Sequence, residues 1–216
     1  METLRSIRSL KNVGAGYLAE YCATTSGFAW PEYDIDRCPE ELVPTDVLAP
    51  AFLSYPIRGQ YIQQMFSQPS SGSLPNSFAR LLEAMQTVVE DGDAKERRYE
   101  GLSNGELDDR DAPGWGKVLR AIDEVQHCSG LTSVAVTKIL HRKRPQLVPI
   151  NDSLLRDFYG VKHAGYSAFF REVHRDLNES REQLDKWVLP YTEGRPAMTR
   201  LRCLDIVIWM HQRSAT

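Results

Sequence analysis

Apolar residues in this chain recur at steps of three and four, and nowhere alternate with polar residues for more than a few positions. A strand needs a period of two and a helix a period near 3.6, so this pattern predicts a mainly α fold. Stripes of this kind run through Leu4, Ile7 and Leu10; Tyr17, Leu18 and Tyr21; Ile57 to Phe66; and Phe78, Leu81, Met85 and Val88. Others follow at Val118, Leu119 and Ile122; Leu154, Leu155 and Phe158; Tyr166, Phe169 and Phe170; and Leu201, Leu204, Val207 and Ile208. The breaks are equally clear. Residues 26–44 are rich in Pro, acids and aromatics without a period and predict an ordered loop, and Thr45 or Asp46 is the expected N-cap of the helix that follows. Gln68 to Pro75 reads as a surface linker, and residues 93–113 as a polar excursion with a short helix near Arg97 to Leu102. The expected division is an N-terminal helical segment and loop, residues 1–42, followed by one helical domain, residues 43–216.

With 216 residues and 42% hydrophobic content the chain can bury a core. Its net charge of −3, from 26 basic and 29 acidic residues, rules out indiscriminate coating of nucleic acid, so any nucleic-acid surface must be a local patch. The four cysteines form no Cys-x-x-Cys pair and read as reduced thiols. Asp108, Asp109 and Asp111 lack the Gly and Glu of a calcium loop and read as a solvated turn, so no metal site is expected. No apolar run approaches the roughly 18 residues of a membrane span. A cytoplasmic monomer without membrane contact is the expectation.

One stretch, residues 130–159, concentrates chemistry. Gly130, Thr132 and Ser133 open a helix whose first N–H groups can meet a phosphate. Lys138, His141, Arg142, Lys143 and Arg144 add positive charge along it, suited either to phosphate neutralisation or to complementing the helix's own dipole. Pro145 stops the helix. Asp152 then follows Asn151 at the head of an amphipathic segment, where a carboxylate serves as an N-cap or as a reactive group.

The pattern Gly-x-x-x-x-Ala-x-x-x-Ile-Leu, a connector, then apolar-Pro-apolar-x-Asp-x-apolar-apolar resembles the helix-hairpin-helix DNA glycosylases, the endonuclease III-like superfamily. Gly130 to Val136 falls on the family's hairpin and Ile150-Asn151-Asp152-Ser153 on its aspartate segment. The phrases Lys138 to Pro145, Pro149 to Ser153 and Leu204 to Met210 are also similar to a bacterial protein family, many of its members actinobacterial. The resemblance implies a two-lobed helical fold with Asp152 as the catalytic carboxylate and Asn151 as its support. It further implies a base pocket among Trp115, Tyr55, Trp30 and Tyr33. Double-stranded DNA would be the partner, bound through Gly130, Thr132, Ser133 and the basic row. Val134 stands where bifunctional members carry a Schiff-base lysine, with Lys138 one turn further along, so a monofunctional enzyme without lyase activity is implied. Thr132 replaces the second hairpin glycine, at which some relatives hold a monovalent cation; no other cofactor, iron–sulfur cluster included, is implied. The substrate would be a damaged base or a hypermodified base of phage DNA, the latter making this an antiviral defence protein. The rival readings are a non-catalytic DNA- or RNA-binding helix-hairpin-helix protein and a structural helical protein.

Overall fold

The computed structural model describes residues 5–23, 25–67, 76–193 and 197–214. The linker read at 68–75 lies outside the described residues. Among those described, every regular element is a helix. They are α1 (Gly14–Cys22), α2 (Pro44–Leu48), α3 (Gly59–Phe66), α4 (Ser77–Glu90), α5 (Gly92–Glu96), α6 (Trp115–Glu124), α7 (Ser133–Lys143), α8 (Ser153–Phe158), α9 (Tyr166–Glu179), α10 (Arg181–Val188) and α11 (Arg200–Ser214), joined in part by short 3-10 turns. No described helix is long and apolar enough to cross a membrane.

The helix starts obey local chemistry. Asn76 accepts from the Ala79 N–H at 2.8 Å, Asp91 from the Ala94 N–H at 2.8 Å, and Thr199 from the Arg202 N–H at 3.0 Å, each satisfying a donor that the first turn leaves open. At α2 the expected cap gives way to a neighbouring arrangement: the N-cap is Val43, two residues before Thr45, the helix begins at Pro44, and Asp46 in its first turn accepts from the Val43 N–H at 2.9 Å. Proline tolerates the first helical position because its missing N–H has no partner there anyway.

Two groups of helices share the core. Helices α2, α3, α4, α6 and α7 pack on one another, and α1, α8, α9 and α10 gather round α11. The last helix is the axis of its group, with Leu201, Leu204, Val207 and Ile208 all buried. Helix α10 is absent from the sequence reading because only Leu184, Trp187 and Val188 of its eight residues are buried, too few to make a visible stripe. The polar excursion contributes more core than its composition suggests: a single 3-10 turn, Tyr99–Gly101, replaces the expected short helix, and Tyr99, Leu102 and Leu107 are buried.

The described residues of the first 42 positions pack into the same core as the rest. Ile7, Leu10, Leu18, Tyr21 and Leu42 belong to the same cluster as Met210. Buried Asp176 on α9 accepts from the Ile7 N–H at 2.7 Å and from the Tyr159 hydroxyl at 3.0 Å, fastening the N-terminal turn to the second group.

Trp115, expected in a base pocket, sits at the centre of this core. It is fully buried, its Nε1–H donates to the Leu107 carbonyl at 3.1 Å, and its ring meets Tyr99 and Phe170 edge-on at 5.0 and 5.2 Å. Trp115→Ala should therefore destabilise the protein by about 3–5 kcal/mol, read as a lowered urea midpoint.

Candidate active site

The turn between α6 and α7 leads into the helix that carries Lys138. Gly130 takes φ +87°, and a Cβ there would lie 2.1 Å from the Tyr61 hydroxyl, so both backbone and space require glycine. Thr132 caps α7 by accepting from the Val134 N–H at 3.3 Å, and its hydroxyl meets that of Tyr55 at 3.0 Å. Gly130 and Thr132 are exposed, and Ser133 is half-buried.

The returning segment, 149–152, is locked to the same helix. The Asn151 N–H donates to Thr137 Oγ1 at 3.0 Å, and the Asn151 amide donates to Ser133 Oγ at 2.9 Å. Asn151 is fully buried, so its support of Asp152 is structural. These two bonds bring Asp152 alongside Lys138. Asp152 Oδ1 caps α8 by accepting from the Leu154 N–H at 2.9 Å, and Oδ2 pairs with Lys138 Nζ at 3.0 Å. Lys138 Nζ also donates to the Leu53 carbonyl at 2.9 Å and lies 5.7 Å from the Tyr55 ring centre. Capping thus employs one carboxylate oxygen, and the other faces a cation.

Beside this pair lies a cavity of about 270 Å³ between the two helix groups. Lys138 and Asp152 contribute from one side, and Arg202, Asp205 and Trp209 of α11 from the other, with Tyr21 and Phe28 adding aromatic wall. Phe28 stacks on Tyr21 at 5.0 Å and meets Trp209 edge-on at 5.8 Å, while the Arg213 guanidinium covers both Phe28 and Trp209. Phe52 also lines the cavity yet is 56% exposed, which places it at the mouth.

The second side carries its own charge network. Buried Arg202 pairs with Asp34 at 3.0 Å and with Asp205, donates to the Tyr21 hydroxyl at 3.1 Å and lies 5.0 Å from the Tyr33 ring centre. Burial pushes the Asp205 carboxyl up to about 6 against the pull of Arg202, and the negative charge of Asp152 adds to the rise. Burial raises Asp34 as well.

The basic row is not the outward-facing phosphate patch that the sequence suggests. His141, Lys143 and Arg144 are buried and Arg142 nearly so, and their partners belong mostly to the 25–46 segment. Arg142 pairs with Asp46 at 3.2 Å and donates to the Tyr33 and Ile35 carbonyls. Lys143 pairs with Asp36 at 2.9 Å and Asp46 at 2.8 Å, and Arg144 donates to the carbonyls of Pro39 and Val89. His141 meets the Val148 carbonyl through Nδ1 at 2.6 Å, and burial lowers its pKa to about 3, so it stays neutral. The physical reason is mutual neutralisation: the acids at 34, 36 and 46 supply the counter-charges that allow these cations inside. Lys138 is also buried, and its charge is directed at Asp152 rather than at the exterior.

Of the aromatic candidates, Tyr55 stands beside the Lys138–Asp152 pair, whereas Trp30 packs on the core away from the cavity. Tyr33 is fully buried, donating to the Lys138 carbonyl. Sequence reasoning missed Arg202, Asp205, Trp209, Phe28 and Phe52. A signal existed for two of them: Arg202 and Asp205 are charges three apart in the stretch Leu201 to Met210, whose other residues are all apolar.

Comparison with known proteins gives one match, a family model described as a family of unknown function (DUF6308), over residues 14–212. No curated protein and no solved structure matches.

The Asp205 environment sets a pH dependence. Its folded pKa lies above its unfolded value, so the native state holds the proton more tightly, and that contribution is full below about pH 4 and lost as pH rises through about 6. Wild-type stability should accordingly fall relative to Asp205→Asn across that window in urea titrations, with a flat difference above it.

Proposed function

This chain belongs to the DUF6308 family, and from the site that its helices build we propose that it is a monofunctional DNA N-glycosylase. On this reading it removes a damaged or hypermodified base from double-stranded DNA and leaves an abasic site. The observation that carries the reading is Asp152, paired at 3.0 Å with Lys138 in the wall of a 270 Å³ cavity with aromatic sides. That volume is close to the lower end of the range for small-ligand sites, about 300–1,000 Å³, and suits one flat heterocycle.

The chemistry follows from the placement. An extruded nucleotide would put its base in the cavity against the Tyr21, Phe28 and Trp209 rings and its deoxyribose beside Asp152. As the C1′–N bond breaks, its electron pair leaves on the base and C1′ takes on oxocarbenium character, which the ionised carboxylate stabilises. A water oxygen then bonds to C1′, shedding a proton to Asp152 or to solvent. Both oxygens of Asp152 are held, one by the Leu154 N–H and one by Lys138, so the charge is fixed before substrate arrives. Lys138 Nζ already serves the Leu53 carbonyl and Asp152. It acts in this scheme as a fixed cation and not as an imine-forming amine, and with Val134 on the same helix the enzyme has no lyase step.

Two surface features support DNA as the partner. Phe52 stands exposed at the mouth, where an apolar ring can fill the gap that extrusion leaves in the base stack. The exposed Gly130–Thr132 turn presents the N-terminal end of α7 to a phosphate. The burial of His141, Lys143 and Arg144 withdraws most of the basic row from the surface, so on this reading the duplex is engaged through the turn and Phe52 rather than through that row.

Duplexes carrying damaged and hypermodified bases, incubated with the protein and then treated with alkali, provide the test. Wild type should yield alkali-revealed breaks, and Asp152→Asn should lose about 10²–10³ in rate with duplex binding retained. Equal rates for the two proteins, or no breaks on any duplex, would remove the proposal, and strand breaks without alkali would restore a lyase role for Lys138. Phe52→Ala should lower the release rate without lowering the urea midpoint, since an exposed ring contributes little to folding.

A further inference from the structure

The cavity holds a second carboxylate that the proposed bond cleavage leaves unused. Asp205 sits on α11, across from the Lys138–Asp152 pair, is 7% exposed and lines the cavity. One of its oxygens, Oδ2, accepts from the Arg202 guanidinium. Its neighbours are fixed from every side. Arg202 is itself held by Asp34 at 3.0 Å and by the Tyr21 hydroxyl at 3.1 Å, so the carboxylate cannot rotate without disturbing a buried network. The rings of Phe28 and Trp209 meet edge-on at 5.8 Å and form one aromatic corner of the same cavity, against which a flat ring can lie with an edge toward α11.

A buried acceptor-only group in a cavity discriminates by what its occupant donates. A base edge offering adjacent N–H groups can satisfy Oδ1 and the remaining lone pair of Oδ2, whereas an edge that presents a carbonyl places lone pairs against lone pairs. Resting on the N-glycosylase reading above, we propose that Asp205 selects the excised base, and that the substrate is a guanine-type purine presenting a ring N–H beside an amino group. Asp205 is thus a specificity-determining residue, separate from Asp152, which addresses the sugar. The charges facing it are Arg202 on its own helix, Asp34 from the 25–43 loop, Lys138 on α7 and Asp152 before α8, with the Tyr21 hydroxyl from α1. As pH falls through about 6 the carboxyl gains a proton and becomes a donor, so preference for a donor edge should weaken there.

Matched duplexes test this directly: 8-oxoguanine against 8-oxohypoxanthine, and 7-methylguanine against 7-methylhypoxanthine, each pair differing only in the 2-amino group. The wild-type protein should favour the amino-bearing member by about 10- to 100-fold in kcat/KM, the value of a hydrogen bond to a charged group. Asp205→Asn keeps an oxygen for Arg202 and should narrow that ratio several-fold. Equal rates within each pair for wild type overturn the assignment even if the variant fails to fold, as does an unchanged ratio in a folded Asp205→Asn. Equilibrium binding to the same duplexes made with 2′-fluoro nucleotides, which resist cleavage, separates the two readings. Amino-dependent binding with no base release from the ordinary duplexes overturns the glycosylase and keeps Asp205 as the base reader; release with no amino dependence does the reverse.

Discussion

One buried guanidinium ties the site together. Arg202 lies on α11 and reaches Asp34 in the 25–43 loop, Tyr21 on α1, the Tyr33 ring and Asp205 one helical turn away. A cation this deep persists only with its counter-charges in place, and each carboxylate in turn depends on the cation. The loop, the first helix and the last helix are therefore fixed relative to one another by a single charge network, and the wall of the cavity is its outer surface. The aromatic rings around it add dispersion and cation–π attraction without supplying any freedom to move.

The same principle explains the fate of the basic row. A protein that carries Lys138, His141, Arg142, Lys143 and Arg144 in seven positions can expose them or bury them against acids. Here Asp36, Asp46 and a line of loop carbonyls meet them. The 25–46 segment is thereby strapped onto α7, and this strap holds the floor under Lys138. Electrostatics that looked directed at a polyanion are directed at the protein's own loop, and of the row only Lys138 addresses the cavity, paired with Asp152.

Much of the helical architecture was readable because period-3.6 burial leaves its mark on composition. The stripes at Phe78 to Val89, Val118 to Val125 and Leu201 to Met210 correspond to α4, to α6 with the 3-10 turn that follows it, and to α11. Helix α10 left almost no mark, since three buried residues in eight cannot be told from chance. Asp152 was legible as the head of a helix beside a glycine turn. Its ion pair was not, because Lys138 and Asp152 are joined by a backbone path that only the Asn151–Ser133 and Asn151–Thr137 bonds define. Trp115 was misplaced for the opposite reason: a large aromatic serves core and pocket equally well, and only its neighbours Tyr99 and Phe170 distinguish the two.

By itself, then, the chain's sequence determined the class of fold and the place of its long helices, because periodic burial is written in residues three and four positions apart. Tertiary structure alone decided which charges face inward, which aromatics wall the cavity and that Asp205 joins Asp152 there. Those outcomes depend on partners from 14 positions apart, as Lys138 is from Asp152, to 181, as Tyr21 is from Arg202. A charge near the chain's surface in sequence space acquires its meaning only from the counter-charge that folding brings to it.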